Sequence, residues 1–84
     1  MTYSEPSKAS LAAVRLLSRN CRERRRARGL TLERLSELSS IPLAVLTDIE
    51  AGHGNPQLDT ILRLAEALGC LPHELFLQVT PRSE

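Results

Sequence analysis

At 84 residues the chain is expected to form one small domain, near the lower limit at which a single apolar core holds a fold without disulfides or metal. Apolar residues make up 42% of it, yet there is one Phe, one Tyr and no Trp, so the core must come from Leu, Ile, Val and Ala, which suits packed helices better than a sheet sandwich. The net charge of +1 hides a polarity, with eight basic and two acidic side chains in residues 1–30 against three basic and eight acidic in residues 31–84, and such a split predicts a directional surface.

Two cysteines, Cys21 and Cys70, each lie inside an apolar helical pattern. They read as core residues, against a disulfide framework and for a reducing, cytoplasmic setting. The opening MTYSEPSKASLAAVRLLSR is too interrupted for a signal peptide, and no segment is apolar for long enough to span a bilayer. No membrane association is expected.

Gly29, Pro42, Gly52, Gly54, Pro56, Gly69, Pro72 and Pro81 cut the chain into short apolar-periodic segments, read as five helices. The first runs from Lys8 or Ser10 to Arg28 and stops at Gly29, which tolerates the left-handed conformation that ends helices. Thr31 caps a second helix over residues 32–39, its hydroxyl accepting from first-turn amides. The third begins with Pro42, whose missing N–H costs nothing in a first turn, and ends near Ala51. A fourth spans Leu58 to Leu68, with Leu58, Ile61, Leu62, Ala65 and Leu68 assigned to its buried stripe. A short fifth covers HELFL after Pro72, and the tail from Gln78 is expected to fray. The division is then a flexible segment over 1–7, one domain over 8–77 and a tail over 78–84.

Projection of the first helix puts Val14, Leu17 and Cys21 on one arc, with Arg25 inside it. A desolvated guanidinium needs a carboxylate, and Glu50, bordering the buried face set by Leu46 and Ile49, is the candidate. Arg15, Arg19, Arg22 and Arg26 form a separate stripe directed to solvent or a partner.

Two helices joined by the tight turn SSIP, with one helix before and two after, make a helix-turn-helix in an all-α domain. From RERRRARGLTLERLSELSSIPLAVLTDIEAGHGNPQLDTILRLAEALGCLPHELF, residues 22–76, the chain resembles the phage-repressor-like, or XRE, family of helix-turn-helix regulators. The resemblance implies a compact five-helix lambda-repressor-like fold, here with an extended first helix. It also implies a dimer that binds double-stranded operator DNA with its third helix in the major groove and represses or activates a promoter. In that family an Arg late in the first helix commonly pairs with a Glu ending the third, matching Arg25 and Glu50. The chain departs from the family at Leu32, where a Gln usually follows the capping Thr. It departs again at Leu43, Ala44 and Val45, where polar side chains usually open the third helix.

On this reading the third helix turns Leu46 and Ile49 inward and Ala44, Thr47, Asp48 and Ala51 outward, with Leu43 and Val45 flanking. Leu43 and Ala44 suit thymine methyls, Asp48 a cytosine amino group, and Thr47 a base or phosphate. Phosphates are expected at the amides of Thr31, Leu32 and Glu33, where the second helix begins, and at His53, Gly54 and Asn55 after the third. A protein-interaction module on the same fold is the alternative, with Leu43, Ala44 and Val45 as an apolar contact patch for a protein partner. Leu11, Leu16, Leu77 and Val79 have no evident place in a five-helix core and are assigned to a two-fold interface. The sequence carries no nucleophile–base arrangement and no paired ligands of zinc spacing, so no catalysis, cofactor or metal is expected.

Overall fold

The computed structural model describes residues 7–78. These form four α-helices, α1 (Lys8–Ala27), α2 (Leu32–Ser39), α3 (Leu43–Glu50) and α4 (Leu58–Leu68), followed by a 3-10 helix, Pro72–Phe76. Among the described residues there is no strand, and the all-α expectation holds. No helix among them is long and apolar enough to cross a membrane.

Local chemistry sets the helix ends. Ser7, placed by the sequence reading in the N-terminal segment, instead caps α1, its Oγ accepting the Ser10 N–H at 3.1 Å. The far end of α1 carries Arg24, Arg25 and Arg26 in its last turn, where positive charge meets the negative end of the helix dipole. Gly29 then turns left-handed, at φ 66°, which lets the Leu30 N–H reach back to the Arg25 carbonyl at 3.0 Å. Thr31 caps α2 through its Oγ1, which accepts from the Arg34 N–H at 3.0 Å.

The turn between α2 and α3 is tied by serines. Ser40 takes the left-handed conformation at φ 58°, Ser39 Oγ accepts from the Ile41 N–H at 3.2 Å, and Ser36 Oγ donates to the Ile41 carbonyl at 2.5 Å. Ile41 is thereby held in the core. Pro42 is the N-cap of α3 rather than its first helical residue. It has extended backbone, and its carbonyl accepts from the Val45 and Leu46 amides at 3.0 and 3.1 Å.

Leu17 and Cys21 from α1, Leu35 from α2 and Leu46 and Ile49 from α3 meet Leu64, Ala65 and Leu68 of α4 and Leu75 of the 3-10 helix in one core. The buried stripe of α4 differs from the expected one. Leu58 is 70% exposed and Leu62 44%, whereas Leu64 is fully buried. The helix faces inward with Ile61, Leu64, Ala65 and Leu68, a cleaner i, i+3, i+4, i+7 set. Both phases contain leucines at helical spacing, and packing of α4 against α1, α2 and the 3-10 helix selected between them. The expected fifth α-helix is a single 3-10 turn that begins one residue earlier, at Pro72. Glu74 closes it by accepting the Leu71 N–H at 2.8 Å, and Leu77 is already extended. Asn20, buried on α1, anchors the departing chain by donating Nδ2 to the Leu75 and Leu77 carbonyls, each at 2.9 Å. Val79 and the rest of the tail beyond Gln78 lie outside the described residues.

Candidate nucleic-acid interface

α3 lies with Leu46, Ile49 and Glu50 buried and with Leu43, Ala44, Val45, Thr47, Asp48 and Ala51 exposed. Its outer face is therefore an open, accessible rod. Thr47 turns its hydroxyl back along the helix, Oγ1 donating to the Leu43 carbonyl at 2.9 Å, which leaves oxygen lone pairs and a methyl for an outside partner. Asp48 is the one formal charge on this face, and Leu43, Ala44 and Val45 make its leading edge apolar.

Two segments flank the rod, the first turn of α2 and the loop after α3. Of the first-turn N–H groups of α2, those of Arg34 and Leu35 are bonded to Thr31, while those of Leu32 and Glu33 lie ahead of the first intrahelical bonds. Thr31 and Glu33 are exposed, but the Leu32 side chain packs partly buried against the core. Its apolar identity at a position where the family usually has Gln thus serves packing. After α3, the His53 N–H bonds to the Asp48 carbonyl at 2.9 Å, so His53 presents its ring rather than its amide. Gly54 and Asn55 are exposed beside it. Val45, Asp48, Ile49, His53, Asn55 and Pro56 line a shallow groove of about 140 Å³ between α3 and this loop.

The end of α3 is gripped from α1. Arg25 donates to Glu50 through Nε at 2.7 Å and Nη2 at 3.0 Å, and its Nη1 holds the Leu30 carbonyl at 2.8 Å. The side chains are 14% and 7% exposed. The hydrogen bond to Glu50 raises Arg25 above its already high ordinary pKa, so the guanidinium stays charged in the core. Cys21 lies against the same carboxylate, Sγ to Oε2 at 3.7 Å. Its thiol is pushed up to about 12 by burial first and by the Glu50 charge second, which makes it an inert core group.

Sequence reasoning directed Arg22 outward with Arg15, Arg19 and Arg26. Those three are exposed, but Arg22 folds inward, its Nη1 donating to the Glu50 carbonyl at 2.7 Å and to Ser18 Oγ at 3.2 Å. Ser18, buried, donates to the same carbonyl at 2.7 Å. Neither contact is visible in periodicity, because the acceptor is a main-chain atom of another helix.

A short second helix, a tight turn and an exposed third helix docked on an all-α body define a helix-turn-helix protein. The helix-turn-helix family model matches residues 22–75, and the chain belongs to this XRE-type family. It is 37% identical over 60 residues to the HTH-type transcriptional regulator DdrOP3 of Deinococcus deserti, covering 71% of this chain and 46% of that protein. The chain thus spans less than half the length of that relative. It is also 37% identical over 70 residues to the uncharacterized HTH-type transcriptional regulator y4dJ of Sinorhizobium fredii, covering 83% of this chain and 87% of that one. Among solved structures it is similar to the restriction-modification controller protein C.AhdI of Aeromonas hydrophila, at 38% identity and a TM-score of 0.71, over 81% of this chain and 98% of that chain. The chain thus carries a helix-turn-helix domain of a family whose relatives DdrOP3 and y4dJ are named as transcriptional regulators.

Proposed function

We propose that the protein is a sequence-specific transcriptional repressor that acts in the cytoplasm as a homodimer on operator DNA. The observation that carries this reading is the open outer face of α3, flanked by the start of α2, whose first amides have no intrahelical partner, and by the exposed His53, Gly54 and Asn55. In this reading α3 enters the major groove, where Leu43 and Ala44 meet thymine methyls and Asp48 accepts from a cytosine amino group. The amides at Thr31, Leu32 and Glu33, together with His53 and Asn55, hold phosphates on either side. Few side chains here are built for paired hydrogen bonds to bases, and Glu33, Glu37 and Asp48 are all exposed near the interface. Each protomer therefore binds weakly, and two are needed. Exposed Leu11 and Leu77 and half-buried Leu16 support a two-fold contact that sets two α3 helices about one DNA turn apart.

Selection from a random duplex library tests the reading. The expected result is a two-fold-symmetric site with half-sites about 10 base pairs apart, bound more weakly after Thr47→Val or Asn55→Ala and strongly salt-dependent. Recovery of no enriched sequence, with no binding at low salt, overturns it and leaves a protein-interaction module. A monomer by light scattering on the enriched duplex overturns the dimer.

A further inference from the structure

The carbonyl of Glu50 is the last of α3, and the three carbonyls before it are already engaged. Thr47 accepts from Ala51 at 3.0 Å, Asp48 from His53 at 2.9 Å and Ile49 from Gly52 at 3.1 Å. Glu50 alone is satisfied from another helix, by Ser18 and Arg22 of α1. We infer that Ser18 and Arg22 are positioning residues for DNA reading: they clamp the end of α3 by its main chain, and with Arg25 on the side chain they fix the rotation and tilt of the reading helix. This rests on the DNA-binding reading above.

The argument is mechanical. Leu46 and Ile49 pack α3 into the core, and a side-chain bridge at the Glu50 carboxylate alone leaves the end of the helix free to tilt on that packing, whereas a second attachment at its carbonyl restrains the tilt. α3 has eight residues, about 12 Å at 1.5 Å per residue. A tilt of about 10° at its end then moves Leu43 and Ala44 by about 2 Å, beyond the tolerance of direct base contacts. The clamp also reaches the loop. A Cβ built on Gly52 would lie 3.9 Å from Ser18 Oγ, so Ser18 is the floor beneath the segment that leads to His53 and Asn55. Arg22 adds a positive charge at the negative end of the α3 dipole, and its own charge is drawn away from the outer surface.

A phosphate contact and a positioning clamp leave different signatures. Removing a phosphate contact weakens binding to all sequences alike and lowers the salt slope by about one. Removing a clamp weakens binding to the selected site, erodes discrimination against mismatched sites, and leaves the slope unchanged. Arg22→Met, Arg22→Lys and Ser18→Ala are titrated on the selected and a scrambled duplex over a salt series, with amide hydrogen exchange measured on the free proteins. The expected result is an affinity for the selected site about tenfold lower in Arg22→Met, an unchanged salt slope, and faster exchange at the Ala51, Gly52 and His53 amides. Arg22→Lys, which restores a cationic donor, recovers most of the affinity. Equal losses on both duplexes with a reduced slope overturn the clamp and make Arg22 a phosphate contact. Wild-type affinity in Arg22→Met, or unchanged exchange at those amides, overturns it as well. Because exchange is read without DNA, failure of the clamp is distinguishable from failure of the DNA-binding reading, which shows as no binding by the wild type.

Discussion

Replacing Glu50 by Ala isolates the energetics of the bridge between α1 and α3. The substitution removes the acceptor of two charge-assisted bonds from Arg25, at 2.7 and 3.0 Å, and leaves a guanidinium that is 14% exposed with one remaining partner, the Leu30 carbonyl. Stranding one member of a buried pair costs about 3–5 kcal/mol. The residual exposure and the surviving bond place this case at the lower end, about 3 kcal/mol. A domain of this size is stable by roughly 4–12 kcal/mol in all, so Glu50→Ala should shift the urea midpoint strongly, followed by far-UV circular dichroism. The double variant Arg25→Met, Glu50→Met removes both charges and offers the core two apolar side chains of similar length. It should be more stable than Glu50→Ala, with a coupling between the two sites of about 2 kcal/mol or more. High salt should change the wild-type cost little, since the pair is shielded from counterions. Additive single and double variants, or a Glu50→Ala cost below about 1 kcal/mol, would refute the reasoning, because such a pair behaves as an exposed one.

Leu64→Ala should cost about 2–5 kcal/mol while Leu62→Ala stays within about 0.5 kcal/mol; equal costs in thermal or urea denaturation would mean that α4 is rotated. Glu74 is held below the usual glutamate range by the Leu71 N–H first and by Arg24 second. Its folded form therefore binds protons less readily than its unfolded form, and its contribution is present above the ordinary glutamate pKa of about 4.3 and lost as pH falls through the lower folded value. Glu74→Gln should accordingly flatten the acid limb of stability against pH, and an unchanged limb would count against the cap. Cys21, buried and with its thiol raised to about 12, should resist alkylation in the native protein and react only on unfolding, as read by mass spectrometry. Rapid native labelling of Cys21 would show that the core opens there.

The sequence alone determined the elements and their order. Ser, Thr, Pro and Gly signals act within a few residues of themselves, so Thr31 before α2 and Gly29 after α1 were legible where they stand, and Pro42 marked the start of α3 to within one residue. The outward set of α3 was also legible, because one helix of period 3.6 with Leu46 and Ile49 inward has a single outer face. Tertiary structure decided what local rules leave degenerate. α4 carries two competing apolar phases, and only packing against α1, α2 and the 3-10 helix put Leu64 inside and Leu58 outside. Projection singled out Arg25 and its Glu50 carboxylate, but the fates of the other arginines at the end of α1 were set by acceptors on other elements: Arg22 by the Glu50 carbonyl, Arg24 by Glu74 at 3.5 Å and the capping Arg28 by the Leu68 carbonyl at 2.8 Å, with Arg26 left exposed. A main-chain carbonyl has no signature in sequence, since every residue carries one and only the approach of two helices determines which is left to be bonded.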